Sequence, residues 1–447
     1  MPTTVPALCG RPETQLRAQQ IPPPVSLRTA TLFINSTARS HAVLSLRTLH
    51  PYLRAGNRVL SAIGRLPMDR QPATGRIVPP LLDRRLRQAT SRAEAATIAE
   101  DEFDRRENAA ALLNEERGKY ALRADFQILF GGFGISAHAL PPFAIEGFVD
   151  AAVRLLPGSR WQFGLINLGD VTRRLHEHAI EITAEAVAAL GIGGARFCGM
   201  FGSAEHTPFC PCAQQNEAGE GLAIGMSSPG HLLEAIRNRP PSASEEDAIL
   251  HAQILALTGA DSVGRELALR LGVHYWGCDP SQAPVFDADS PRSNSIGAVI
   301  EEISGVKFGL PGTKGAFFRL MDALQRAGAA SNVPLCGFLN GSFLPVSEDA
   351  VIAEAVGRKT LSYSGILSLL HVCAAGIDMA VIDPQTRPEA IARVFRDVGV
   401  THLIKRKALA ARLIVPDRNT PRDTQGYYVF GGLLGSAPVL ALEGEAS

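Results

Sequence analysis

The sequence predicts an α/β fold whose core sheet is covered by helices on both faces. Short, almost wholly apolar segments alternate with longer stretches of helical periodicity over most of the 447 residues. The short segments are too uniformly apolar to leave one face in water, as strands buried on both sides are. No fixed-period repeat is visible, so a solenoid is not expected.

Taken in order, residues 1–25 carry Pro2, Pro6, Pro12, Pro22, Pro23 and Pro24 and read as an extended or disordered lead-in. Residues 26–442 read as one domain, beginning with a Leu-, Thr- and Phe-rich strand at 27–35. Residues 65–87 mix Pro with Arg and read as a connection. Ser91 with Glu94 three positions on forms a capping box, and the Ala-, Glu- and Arg-rich run to Tyr120 reads as a long solvent-exposed helix. Buried strands are then expected at 126–130, 161–168, 196–201, 222–225 and 274–277. Helical patterns occupy 143–156, 171–190, 231–237, 244–271, 294–303, 314–329, 347–356 and 388–398. The apolar run 365–382 approaches bilayer length, but His371 and Asp378 interrupt it and mark it as core.

Lys plus Arg and Asp plus Glu both number 44, so no basic excess argues for nucleic acid or an anionic membrane as partner. Seven unevenly spaced cysteines fit reduced thiols in a cytoplasmic protein better than a disulfide framework. A large neutral surface is compatible with a homodimer.

Three stretches carry candidate chemistry. Residues 334–349 set Gly337, Asn340, Gly341 and Ser342 in an apolar run, so the backbone bends tightly inside the protein. Its polar groups need partners there, from neighbours or from a ligand. Gly312, Thr313, Lys314 and Gly315 open a helix, where glycine-freed amides, the helix N-terminus and the lysine charge suit a phosphate or carboxylate. The spacing is not that of a Walker A loop. Cys198, His206, Cys210 and Cys212 are residue types that bind zinc, set against the plainer reading of buried thiols at a strand end. Asp279, Glu348 and Asp378 are acids near these stretches. Glu348 and Asp349, following Ser347, are well explained as first-turn helix acids, whereas Asp378 in an apolar run calls for a base such as Lys405 or Arg406, or for a role in proton transfer.

Six blocks in the same order bring a resemblance into view. They are Leu271-Gly272-Val273 leading to Asp279-Pro280-Ser281, the helix start at 295–302, Gly312-Thr313-Lys314-Gly315-Ala316, the run 341–349, Gly376-Ile377-Asp378-Met379, and the Gly431-Gly432 segment at 430–439. Residues 261–440 thereby resemble domain-of-unknown-function family 711, a UPF-type group of uncharacterised bacterial and archaeal proteins. The first half matches it more loosely, at Arg28-Thr29 and Ile166-Asn167-Leu168-Gly169.

The resemblance implies a pyruvate formate-lyase-like α/β barrel, related to the ribonucleotide reductases, with ten strands in two halves around an interior finger loop. Residues 336–347 are expected to be that loop, with Cys336 where its thiol would lie. A glycyl radical is not expected, because Arg422 stands four rather than three residues before Gly426 and no Cys-Cys pair accompanies Cys336.

The leading expectation is therefore an enzyme of lyase or hydrolase type acting on a small anionic ligand by non-radical acid–base or nucleophilic chemistry. Asp279, Cys336, Glu348 and Asp378 are its candidate catalytic groups. Gly312, Thr313, Lys314, Gly315, Asn340, Gly341, Ser342, Gly431 and Gly432 are its candidate binding groups. The alternatives are a catalytically silent metabolite binder serving regulation or scaffolding, and a zinc-dependent hydrolase using the Cys198, His206, Cys210 and Cys212 set. No cofactor other than that zinc is suggested.

Overall fold

Each strand of the core sheet is a run of five to ten residues whose side chains are buried on both faces, so each has to lie between a helical layer and the barrel interior. The computed structural model describes residues 26–34, 46–169, 175–215, 219–227, 229–338, 342–372, 375–430 and 435–442.

In chain order the first half runs β1 (Ser26–Phe33), α1 (Leu46–Ile63), β2 (Thr74–Val78), α2 (Asp83–Leu86), α3 (Arg92–Glu116), β3 (Gln127–Ser136), α4 (Pro142–Leu155), β4 (Gln162–Gly169), α5 (Glu177–Leu190) and β5 (Phe197–Phe201). The second runs β6 (Gly221–Ser227), α6 (Pro229–Arg237), α7 (Glu245–Leu271), β7 (His274–Asp279), α8 (Ile296–Ser304), α9 (Thr313–Ala330), α10 (Ala350–Gly357), α11 (Tyr363–Leu370), β8 (Gly376–Val381), α12 (Pro388–Lys405) and β9 (Leu409–Ile414). The capping signals act as expected. Ser91 accepts from the Glu94 amide at 3.2 Å and Ser244 from that of Asp247 at 3.0 Å.

The nine strands form one sheet in the order β7-β6-β1-β2-β3-β4-β5-β9-β8. β1 to β5 are parallel to one another, as are β6 with β7 and β8 with β9, while the two halves meet antiparallel at β1/β6 and β5/β9. Between the two edge strands lie the described residues 335–338 and 342–345. Leu335 bridges Cys278, Ser342 bridges Gln282, and Pro345 bridges Asp378, all in parallel sense. They supply a tenth stave and close the ring, giving the two-half α/β barrel that the resemblance implied.

Several expectations need correction. The finger is not the segment 336–347, which forms wall. The chain inside the barrel is the β5–β6 connection. There the Pro208 carbonyl accepts from Thr31 Oγ1 at 3.2 Å and Arg76 Nη1 at 2.7 Å, Thr207 Oγ1 donates to Asp279 at 3.0 Å, and the His206 ring stacks on Trp276 at 3.5 Å. One segment thus touches β1, β2 and β7, and its Cys212 sulfur lies 3.9 Å from that of Cys198 on β5 across the ring.

Residues 65–87 are not merely a connection but hold β2, whose parallel neighbours on both sides outweigh its Pro-rich flanks. Neither α1 nor β9 was expected. Nor is α3 solvent-exposed, because it buries Glu102, Arg105 and Arg106. Glu102 accepts from Arg85 at 2.6 Å, from Arg106 at 2.8 Å and from the Tyr52 hydroxyl, so one buried carboxylate ties the arginines to the helix. Among the described residues no helix is long and apolar enough to cross a membrane.

Candidate functional site

β1, β2, β8 and β9 each carry one charged residue that turns toward the interior: Arg28, Arg76, Asp378 and Arg412. With Glu348, from the end of the tenth stave, they line a cleft completed by Cys198 of β5 and Phe209, Cys210, Pro211 and Cys212 of the interior loop. The free space between them is about 30 Å³, room for something on the order of two waters.

Arg412, 10% exposed, donates to Asp378 at 2.6 Å and stands 3.6 Å from Glu348. Arg28 approaches Glu348 at 3.3 Å and donates to the Pro284 carbonyl at 2.8 Å. Arg76 has no carboxylate of its own. Its Nη1 donates to the Pro208 carbonyl, and among the described residues its Nε has no hydrogen-bond partner. Three guanidinium groups therefore face two carboxylates, leaving one positive charge in excess.

Burial works against the Arg412 charge, but Asp378 and Glu348 outweigh it and hold the group above its ordinary value. For Arg76 burial wins and lowers it. Burial also pushes the Cys210 thiol up, against the opposing pull of Arg76. Cys198 is pushed well up by burial and by its neighbour Cys212, whose sulfur lies 3.9 Å away.

The remaining sequence candidates fall elsewhere. Asp279 is wholly buried and serves as a brace, accepting from Thr207 Oγ1 and from the amides of Ser281 and Phe338, each at 3.0 Å. Gly337, at φ +77°, is required beside it, since a Cβ there would sit 1.9 Å from Asp279 Oδ2. Burial raises the Asp279 carboxyl and pushes the Cys336 thiol well up, and Cys336 packs among Phe33, Val78, Ala213 and Ala223. Neither borders the cleft. Ser342 is buried in the barrel wall with its hydroxyl 3.5 Å from the Met321 sulfur.

Gly312, Lys314 and Gly315 are exposed at the start of α9, where Thr313 Oγ1 caps the Gly309 amide at 3.0 Å and Lys314 donates to Ser368 at 3.0 Å. The ordinary capping role accounts for that loop, which is not brought to the cleft. Asn340, Gly341, Gly431 and Gly432 lie outside the described residues. The zinc set does not assemble. Cys198, Cys210 and Cys212 share the cleft, but His206 is turned onto Trp276, and among the described residues no three His, Cys, Asp or Glu side chains converge to hold a metal ion.

Asp378 is paired as expected of a buried acid, but with Arg412 rather than Lys405 or Arg406. Lys405 donates to the Leu370 carbonyl at 2.5 Å. Sequence reasoning missed Arg76 and Arg412 altogether. The available signal was a lone arginine in each of two otherwise apolar segments, Thr74–Val78 and Leu409–Ile414.

The family profile described as Uncharacterised ACR (DUF711) matches residues 161–421, more than half of the chain. The chain belongs to the DUF711 family. Among the similar proteins is a UPF0210 protein of Pyrobaculum islandicum, 33% identical over 323 residues, covering 70% of this chain and 69% of that one. A UPF0210 protein of Syntrophobacter fumaroxidans is 32% identical over 273 residues, covering 59% and 57%. Among solved structures, the anaerobic ribonucleotide reductase from Thermotoga maritima with dATP bound in its specificity site superposes at a TM-score of 0.45 and 10% identity, covering 92% of this DUF711 chain and 79% of that one. Of the charged cleft residues, Glu348, Asp378 and Arg412 lie within the matched span and Arg28 and Arg76 precede it.

Proposed function

We propose that the barrel is an enzyme that binds a small carboxylate- or phosphate-bearing metabolite in the interior cleft and acts on it by acid–base chemistry. The observation that carries this is the unbalanced charge: Arg28, Arg76 and Arg412 against Glu348 and Asp378, with no carboxylate partner for Arg76 among the described residues. In a nearly dehydrated site an uncompensated guanidinium is costly, and an anion relieves that cost. The narrowness of the void favours a ligand of few atoms.

Glu348 is the proton-moving group in this reading. Its contacts with Arg28 and Arg412, 3.3 and 3.6 Å, are looser than the 2.6 Å pair between Arg412 and Asp378. An incoming anion competes with Glu348 for both arginines and leaves its carboxylate free to take a proton, while Asp378 keeps Arg412 in place.

The test is titration calorimetry of the purified protein with inorganic phosphate and with short mono- and dicarboxylates, followed by turnover screening of the anions that bind. Wild type is expected to bind at least one of them. Arg76→Gln should weaken that binding about tenfold or more, and Glu348→Gln should keep binding and lose turnover. Binding unaffected by Arg76→Gln would remove the site assignment. Turnover retained by Glu348→Gln would mean an enzyme using another base, and binding without any turnover by wild type would leave a binder.

A further inference from the structure

The cleft holds two sulfurs in contact. Cys198 of β5 and Cys212 of the interior loop are both buried, stand 3.9 Å apart, and line the same void as Cys210. They come from different parts of the wall and finger, so contact between them is a feature of the assembled barrel rather than of local sequence. Closing the gap to a disulfide requires the sulfurs to approach by a further ~2 Å, within reach of a side-chain rotation on a loop residue. Anion binding uses the arginines and does not use this pair.

We infer that Cys198 and Cys212 form a two-electron dithiol/disulfide couple, opened and closed inside the barrel by a small hydroperoxide and a thiol reductant. The void, with room for only a few atoms, fits an oxidant of the hydroperoxide class better than a bulky disulfide.

In the first step one cysteine sulfur attacks the peroxide oxygen. The S–O bond forms, the O–O bond breaks, and the departing alkoxide or hydroxide takes the thiol proton to leave as alcohol or water. In the second step the other sulfur attacks the resulting sulfenic acid. The S–S bond forms, the S–O bond breaks, and the hydroxide leaves as water with the second thiol's proton. The two sulfurs together lose two electrons and the peroxide gains them. Two equivalents of an external thiol reverse the state, emerging as their own disulfide.

Closure ties the interior loop to β5. Because Cys210 and Pro211 precede Cys212 on that loop and line the cleft, the oxidised barrel presents a reshaped anion site.

The experiment treats the native protein with stoichiometric hydrogen peroxide, blocks free thiols with an alkylating agent in denaturant, and maps the digest. Trypsin alone leaves all three cysteines in residues 197–237, so a Glu-specific protease is added to cut after Glu205 and part Cys198 from Cys210 and Cys212. The expected result is residues 197–205 covalently linked to the fragment beginning at 206, about 2 Da lighter than the sum of the two reduced fragments and separated by dithiothreitol. Cys198→Ser should abolish the linkage, and Cys336→Ser should leave it intact. A Cys210–Cys212 link confined to the second fragment, or full alkylation of both Cys198 and Cys212 after peroxide, overturns the proposal. The wild-type map decides by itself if a serine variant fails to fold. The assay contains no anion, so its outcome is independent of whether phosphate or carboxylate binds.

Discussion

Arg412 holds two carboxylates with one guanidinium, and with a tenth of its side chain exposed it does so largely away from water. Replacing it by methionine keeps the bulk but strands Asp378 and Glu348. Arg412→Met should therefore lower stability by about 3–5 kcal/mol, and adding Asp378→Asn should recover part of that loss. Urea denaturation of the two variants checks both statements, and equal stability of wild type and Arg412→Met would mean the carboxylates find water or another cation.

A second residue gives a pH dependence. Burial pushes the Asp83 carboxyl up to about 6, with the Ser136 amide and Arg87 opposing it. Since the folded value lies above the unfolded one, the stability Asp83 contributes is complete below about pH 4 and is lost as pH rises through 6. Asp83→Asn should therefore gain on wild type between pH 4 and 6.5, read as diverging denaturation midpoints. Parallel profiles would show that the carboxyl is hydrated.

At this scale the sequence was half legible. Asp378 and Glu348 were found because an acid in or beside an apolar run is unusual. Arg76 and Arg412 were not, because an arginine beside aliphatic residues reads equally well as a snorkelling side chain until the barrel places it inside.

Asp349 joins two elements. Its carboxylate accepts from the Val351 and Ile352 amides at the start of α10, at 3.0 and 3.2 Å, and from the Ile296 and Gly297 amides at the start of α8, at 2.7 and 3.2 Å, with Ser295 Oγ at 2.6 Å. One side chain thus caps two helices. Asp349→Ala removes both caps and leaves buried amides without acceptors, a loss of about 2–4 kcal/mol. Asparagine, with one acceptor oxygen, should fall between. Thermal denaturation measures the series, and a loss under 1 kcal/mol for alanine would place water at the shared cap.

Helix starts marked by Ser91 and Ser244 were legible because a cap is a local chemical event. β2 and β9 were not, because a five- or six-residue strand is stabilised by neighbours distant in sequence. Asp349 was legible only as a first-turn acid, since nothing local announces that a second helix will share it.

For the whole molecule, the weak line is the seam along 335–345. Among the described residues isolated bridges stand there in place of a ladder, with hydrogen bonds from the Cys336 amide to Cys278, from Phe343 to Gln282 and from Val346 to Asp378. Hydrogen exchange should therefore open the amides of Cys336, Phe343 and Val346 well before those of β3 and β4, and an anion in the cleft should slow Phe343 and Val346, which flank Glu348. Uniform protection around the ring would contradict this.

The alternation of strands and helices, together with the resemblance, foretold a barrel in two halves. Which segment would pass through the middle was not foretold. Glycine-bent apolar chain is needed both to thread a barrel and to seal its wall, and the two uses look alike in sequence.

The position of β9 bears on how the chain is made. Arg28 and Glu348 meet across 320 residues, and β5 waits for β9 as its outer neighbour. A ribosome that has delivered everything through β8 has produced five parallel strands whose far edge is still bare and an Asp378 that still lacks Arg412. Such an intermediate is open to pairing with a second nascent chain. Production of this protein should accordingly be sensitive to crowding on the messenger and to chaperones that shield a strand edge, in a way that the stability of the finished barrel would never reveal.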